Sequence, residues 1–326
     1  MRTIFVLIIL FIAGNPLFSQ GVIENPVTLF NEFREFVDHN YIYFQAKKMN
    51  KDEMFEKYSR RVSTQTTEDE LFAIMDSVVL ELKDAHSIIV KPKQVGTQYD
   101  YKKGYQIHFD DKLIKSSYVK DSIGASGNLY WAMLDQNIGY VYLSKFNAFE
   151  AFDEVFRAMK ARGVKKLIID VRNNGGGNSN PVPKLLGVLV DNKTLLGSYI
   201  EKTGPEVFDI TKPIGVYATP DADFRFDIPV VVLINRTCYS ATSYFAAMVK
   251  GLPGVTLMGQ VTGGGAGGHL GYQLSNGWQI RVSVSDFLDK DGVSAELGVA
   301  PDIAIENTKE DIQNGRDKML EKAMDF

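Results

Sequence analysis

The stretch from Ile228 to Lys250, IPVVVLINRTCYSATSYFAAMVK, constrains this chain more than any other. A Val/Ile-rich run headed by Pro229 gives way, within a few residues, to the apolar spacing of a helix. A run with no polar alternation has no solvent-facing side, so it reads as a central strand of a sheet covered on both faces. Arg236 to Tyr239 form the turn, and Ser240-Ala241-Thr242-Ser243 supplies hydroxyls able to cap the helix. Ser240 has two readings. As an N-cap its oxygen only closes the helix; as a nucleophile it stands beside backbone N–H groups that no intrahelical carbonyl satisfies, which suits the oxyanion formed by attack. Cys238 is the sole cysteine. It forbids an intrachain disulfide and reads as a small buried side chain rather than as a thiol nucleophile.

The alternation of strand and helix extends through the C-terminal half. GYVYLSKF is a strand, EAFDEVFRAMKARG a helix and KKLIIDVR a strand. SNPVPKLLGVLV, opened by Ser179 and Asn180, is a second helix, and VTLMGQ follows the Ser240 helix as a further strand. Such alternation predicts a mainly parallel α/β sheet over residues 136–326. YQLSNGWQIRVSVS predicts a hairpin turning at Asn276 and Gly277, and KEDIQNGRDKMLEKAM a closing amphipathic helix. Residues 21–90 are patterned as a small helical domain, with Phe33, Phe36 and Val37 on one face and Leu71, Ile74, Val78 and Leu82 on another. Thr67 and Glu70 have the spacing of a capping box. Residues 91–135 read as a short β-rich connecting segment, in which GYQIHF, KLIKSSYVK and NLYWAML alternate like strands.

At 326 residues with 45% hydrophobic and 23% charged side chains, the chain is globular and long enough for two domains. A net charge of −4 offers no basic patch for nucleic acid. MRTIFVLIILFIAGNPLFSQ sets Arg2 before an apolar run too short to span a bilayer comfortably, which reads as an export signal over residues 1–20. The mature chain is therefore expected in the periplasm or outside the cell, without stable membrane insertion after signal cleavage.

Several further stretches could carry chemistry. DVRNNGGGNSN, Asp170 to Asn180, places three glycines after a strand, where backbone N–H groups can converge on an oxyanion or an anion. It lacks the Lys-Ser/Thr of a phosphate loop and the spacing of GxGxxG. TGGGAGGHL, Thr262 to Leu270, reads as a mobile loop ending in His269. His86 lies where the last N-terminal helix switches to a short β run over Ser87–Val90, with Asp84 placed to orient the turn. Either histidine could serve as a base, His86 being the better held of the two. Glu296, just before a Gly-Val-Ala-Pro-Asp turn, could accept an imidazole Nδ1–H and fix the ring. Asp289 and Asp291 begin like a calcium loop but lack its further ligands.

Together LKDAHS, GYVYLSKF, KKLIIDVRNNGGG, PVVVLINRTCYSATS, LMGQVTGGG, ELGVAPDI and GRDKMLEKA, in this order from about residue 82 to residue 323, resemble the tail-specific (C-terminal processing) serine proteases and the tricorn protease core. The resemblance implies a Clp/crotonase-like α/β core behind a small helical domain. It also implies a nucleophile at Ser240 and oxyanion donors near Gly175, Gly176 and the Ala241 N–H. Processing proteases use a lysine base; counted along the glycine loop it falls at position 265, which here is Gly. Lys250 is carried about 15 Å along the helix from Ser240 and cannot replace it. The tricorn-like branch uses a histidine ahead of the core and a glutamate before the Gly-x-x-Pro-Asp turn, positions matched by His86 and Glu296. The PDZ domain of the processing proteases has no room, since only about fifty residues separate His86 from Gly139.

The expectation is thus an exported serine endopeptidase acting on a peptide or protein substrate with a Ser-His-Glu triad. It needs no metal or organic cofactor, binds no nucleic acid and carries no signal for an oligomeric state. The alternative is a catalytically inactive peptide- or ligand-binding protein on the same fold. An α/β-hydrolase esterase is disfavoured because CYSAT is not G-x-S-x-G, and a crotonase-type acyl-CoA enzyme because of the export signal.

Overall fold

The computed structural model describes residues 25–147 and 150–326. The expected export signal therefore lies outside the described residues. In chain order the elements are α1 (Pro26–Asn40), α2 (Lys51–Ser59), α3 (Glu68–Glu81), β1 (Ile88–Lys91), β2 (Gln94–Val95), α4 (Asp111–Leu113), β3 (Asp121–Ser126), β4 (Leu129–Met133), β5 (Ile138–Leu143), α5 (Glu150–Ala161) and β6 (Lys166–Asp170). They continue as α6 (Val182–Leu185), β7 (Thr194–Glu201), β8 (Ile214–Ala218), β9 (Val230–Ile234), α7 (Ala241–Val249), β10 (Val255–Gly259), β11 (His269–Gln273), β12 (Gln279–Ser283), β13 (Ser285–Asp289), β14 (Ile303–Ala304), α8 (Lys309–Gln313) and α9 (Lys318–Asp325). No described helix is long and apolar enough to cross a membrane.

Two compact units emerge. The first takes the described residues up to Tyr99 together with Lys202–Ile210 and Gly268–Val284. It holds α1 to α3 and an antiparallel sheet ordered β11-β12-β1-β2. The Thr67/Glu70 capping box forms as expected at the start of α3. The hairpin predicted around Asn276 and Gly277 is β11 and β12, closed by the Leu274 N–H on the Trp278 carbonyl.

The second unit, Asp100–Glu201, Thr211–Gly267 and Ser285–Phe326, is the α/β core. Its main sheet runs β14-β10-β9-β6-β5-β4-β3, parallel from β14 to β5 and antiparallel beyond. The run Val230–Ile234 is buried at every position, because successive residues serve opposite faces. Leu167, Ile169, Val230 and Val232 pack with Phe156, Met159 and Phe245 from α5 and α7. Ile168, Val231 and Leu233 pack with Met319, Leu320 and Ala323 of α9. A strand covered on both faces needs no polar alternation.

Four local expectations are corrected. Residues 105–109 carry no regular secondary structure, and 111–118 form α4 followed by a π-helical turn rather than a strand. The helix expected to open at Ser179 and Asn180 starts later, at α6, which Pro181 precedes. The closing helix is split into α8 and α9: Gly315, at φ +72°, ends α8 with the Arg316 N–H on the Asp311 carbonyl, and Asp317 then caps α9 and pairs with Arg172. A separate three-stranded sheet, β13-β7-β8, had no sequence expectation.

Candidate active site

The strand-to-helix turn after β9 holds Ser240 at φ +55°, a left-handed conformation that a serine adopts only when its surroundings impose it. It occupies the N-cap position of α7, yet its side chain makes no capping bond. The neighbouring hydroxyls are committed and buried. Thr242 donates to Asn174 Oδ1 at 2.8 Å, and Ser243 to the Cys238 carbonyl and Thr262 Oγ1 at 3.0 and 2.9 Å. Ser240 alone of the three hydroxyls is partly exposed. The Ser240 hydroxyl is thus left uncommitted on a strained strand-to-helix turn.

The loop after β6 lies against this turn. A Cβ added to Gly176 would fall 2.8 Å from Ser240 Cβ and 3.0 Å from the Ala241 nitrogen, so only glycine admits so close an approach. The expected oxyanion donors then separate. The Gly176 N–H donates to Asn174 Oδ1 at 2.9 Å and is already used. Gly175 is exposed, and its N–H and that of Ala241, in the first turn of α7, have no acceptor among the described residues. Asn174, unassigned from sequence, turns out to hold this loop; its position directly before the glycine triplet was the available signal.

The first half of the second glycine stretch is packed into the core unit, contrary to the loop its composition suggests. Residues 262–266 are all buried. The Ser240 N–H donates to the Gly264 carbonyl at 2.9 Å, and the Gly265 N–H donates to Glu296 Oε2 at 3.0 Å. One dipeptide thus ties the Ser240 turn to the buried Glu296. Gly265 has φ +72°, and a Cβ there would lie 2.5 Å from Tyr239 Cε2 and closer still to Cζ. A lysine side chain has no way out of this position.

Cys238 is fully buried and donates to the Val171 carbonyl at 3.1 Å. Burial pushes its thiol up to about 12, so it is no thiolate.

His86 belongs to the first unit. Its backbone N–H donates to Asp84 Oδ1 at 2.8 Å, its backbone carbonyl accepts from Arg281 Nε at 2.7 Å, and its ring centre lies 5.2 Å from that of His269. The two candidate bases are therefore neighbours. Burial holds the His86 imidazole below its ordinary value, against the opposing pull of Asp84. Asp84 also accepts from Ser87 and Ser283 at 2.7 Å each. Its burial opposes ionisation, but the Lys47 and His86 charges and these hydroxyls prevail and keep it low. Among the described residues no group of three side chains is placed to hold a metal ion.

Comparison with known proteins agrees with this core. Residues 137–305 match Peptidase family S41, and residues 25–79 match the Tricorn protease C1 domain. A solved candidate peptidase from Parabacteroides merdae is 32% identical, with a TM-score of 0.84 over 92% of this chain and 96% of that one. The chloroplastic C-terminal processing peptidase of Tetradesmus obliquus is 28% identical over 174 residues, 52% of this chain and 36% of its own length. The carboxyl-terminal-processing protease of Synechocystis sp. is 27% identical over 175 residues, covering 52% and 38%. The alignment thus spans little more than a third of these two curated relatives.

Proposed function

This chain belongs to peptidase family S41, and from that premise we propose that it is an exported serine endopeptidase working through an acyl-enzyme. Ser240 Oγ attacks the scissile carbonyl while His86 takes its proton. The tetrahedral oxyanion is stabilised by the N–H groups of Gly175 and Ala241, each donor contributing about 3 kcal/mol. Collapse breaks the C–N bond, and the imidazolium returns the proton to the leaving amine. Water, deprotonated by the same imidazole, then releases the acyl group and restores Ser240. Glu296 holds the imidazole tautomer. Export rests on residues 1–20, with Arg2 ahead of the apolar run.

The observation that carries this reading is Ser240 itself, at the cap position in a strained conformation without a capping bond. The test is labelling of the purified mature protein by a fluorophosphonate probe. Wild type should be labelled, and Ser240→Ala, His86→Ala and Glu296→Gln should be silent or slow. A folded wild type that the probe leaves untouched would favour the ligand-binding alternative. His86→Ala labelled at the wild-type rate would move the base to His269.

A further inference from the structure

Asn174 is fully buried and joins three parts of the second unit through one side chain. Its Oδ1 accepts from the Gly176 N–H at 2.9 Å and from the Thr242 hydroxyl at 2.8 Å, and its Nδ2 donates to the Leu143 carbonyl at 2.9 Å. Its carbonyl also accepts from the Tyr239 N–H at 3.3 Å. The orientation of the amide follows from its partners, since a backbone N–H can only donate and a carbonyl can only accept. Its partners are the end of β5, the glycine loop and the first turn of α7, and the last two carry the open N–H groups of Gly175 and Ala241.

We infer that Asn174 is a positioning residue that fixes the spacing between the Gly175 and Ala241 N–H groups, and so sets how well the oxyanion is held. This rests on the serine peptidase reading above. Only an amide meets both demands, an acceptor shared by two donors and a donor for Leu143. Alanine supplies neither. Aspartate keeps the shape and the acceptor, but its ionised form cannot donate to Leu143 and sets a negative charge beside a developing one.

The experiment follows fluorophosphonate labelling to saturation, separating the limiting rate from the half-saturating probe concentration. Asn174→Ala should lower the limiting rate about 100-fold, the scale of a misplaced catalytic group, and leave the half-saturating concentration unchanged. Thr242→Val should act in the same direction and less strongly, while Thr242→Ser restores the rate. The rate of Asn174→Asp relative to wild type should climb as acid protonates its carboxyl and returns the donor. If Asn174→Ala does not fold, the Thr242 pair decides alone. Wild-type limiting rates in folded variants overturn the inference, as does an equal fall in rate, probe binding and melting temperature, which marks a structural role. An unlabelled wild type removes the peptidase reading and this inference with it, whereas a labelled wild type matched by Asn174→Ala removes this inference alone.

Discussion

Gly265→Ala puts one methyl group where the fold leaves no room. Gly265 sits at φ +72°, and an L-residue in the left-handed region costs about 1–2 kcal/mol. The new Cβ would also lie 2.5 Å from Tyr239 Cε2, and forcing extra carbon into a packed site costs about 1–3 kcal/mol more. The expected destabilisation is therefore about 2–5 kcal/mol. Tyr239 cannot yield freely, because its ring stacks on Tyr101 at 4.2 Å and it directly precedes Ser240. Labelling of Ser240 should slow along with the loss of stability. Trp131 lies in the second unit and Trp278 in the first, so a Trp278→Phe background lets fluorescence during urea unfolding report on the unit that holds Gly265. A Gly265→Ala variant that unfolds within about 0.5 kcal/mol of its parent, the range of an innocuous surface change, would refute the packing argument. By the same reasoning Gly265→Lys should not rescue a His86→Ala enzyme.

Three further outcomes are expected. Asp317→Ala removes one of the two carboxylates paired with the buried Arg172 and should cost about 3–5 kcal/mol in urea unfolding. Burial opposes ionisation of Asp317, but the Arg172 guanidinium outweighs it and holds the carboxyl below its usual range. The contribution is therefore complete above the unfolded value near 4 and should fade as pH falls through the lower folded value, so the gap between variant and wild type narrows in acid. Because burial keeps the His86 imidazole low, the acid limb of the labelling rate should have its midpoint below the ordinary histidine value of about 6.5; a midpoint above it would count against His86 as the base. With its thiol pushed up to about 12, Cys238 should resist a thiol-reactive disulfide at pH 8 in the native protein and react only on unfolding, and Cys238→Ala should keep wild-type labelling.

What the sequence disclosed follows from how local each cause was. Val230–Ile234 was readable because burial on both faces requires every side chain to be apolar, and the Thr67/Glu70 box because both partners lie within one turn. The Ser240 turn was recognisable, but neither its positive φ nor the absence of a capping bond could be read from residue types. TGGGA was misread because glycine serves mobility and close approach alike; here it serves approach, against Tyr239 and Glu296. The break between α8 and α9 has a local cause in Asn314-Gly315 that the apolar spacing masked, whereas the pairing of Asp317 with Arg172, 145 residues away, left no local sign. The alternation over 105–109 suggested a strand, but period alone does not supply a neighbour to pair with.

The long separation of Arg172 and Asp317 also bears on when the core can close. Arg172 emerges from the ribosome well before Asp317, and without it this cation keeps, among the described residues, only Asp170 as a counter-ion. The same late segment brings Met319, Leu320 and Ala323 to cover one face of the sheet, and the Ala323 and Met324 carbonyls to Lys166 Nζ. A nascent chain ending before Arg316 should therefore hold its central strands open, digest readily in limited proteolysis and fail to react with a fluorophosphonate. On the proposed reading, a chain built this way would be harmless during its own synthesis, because its reactive centre would form only once α9 has docked.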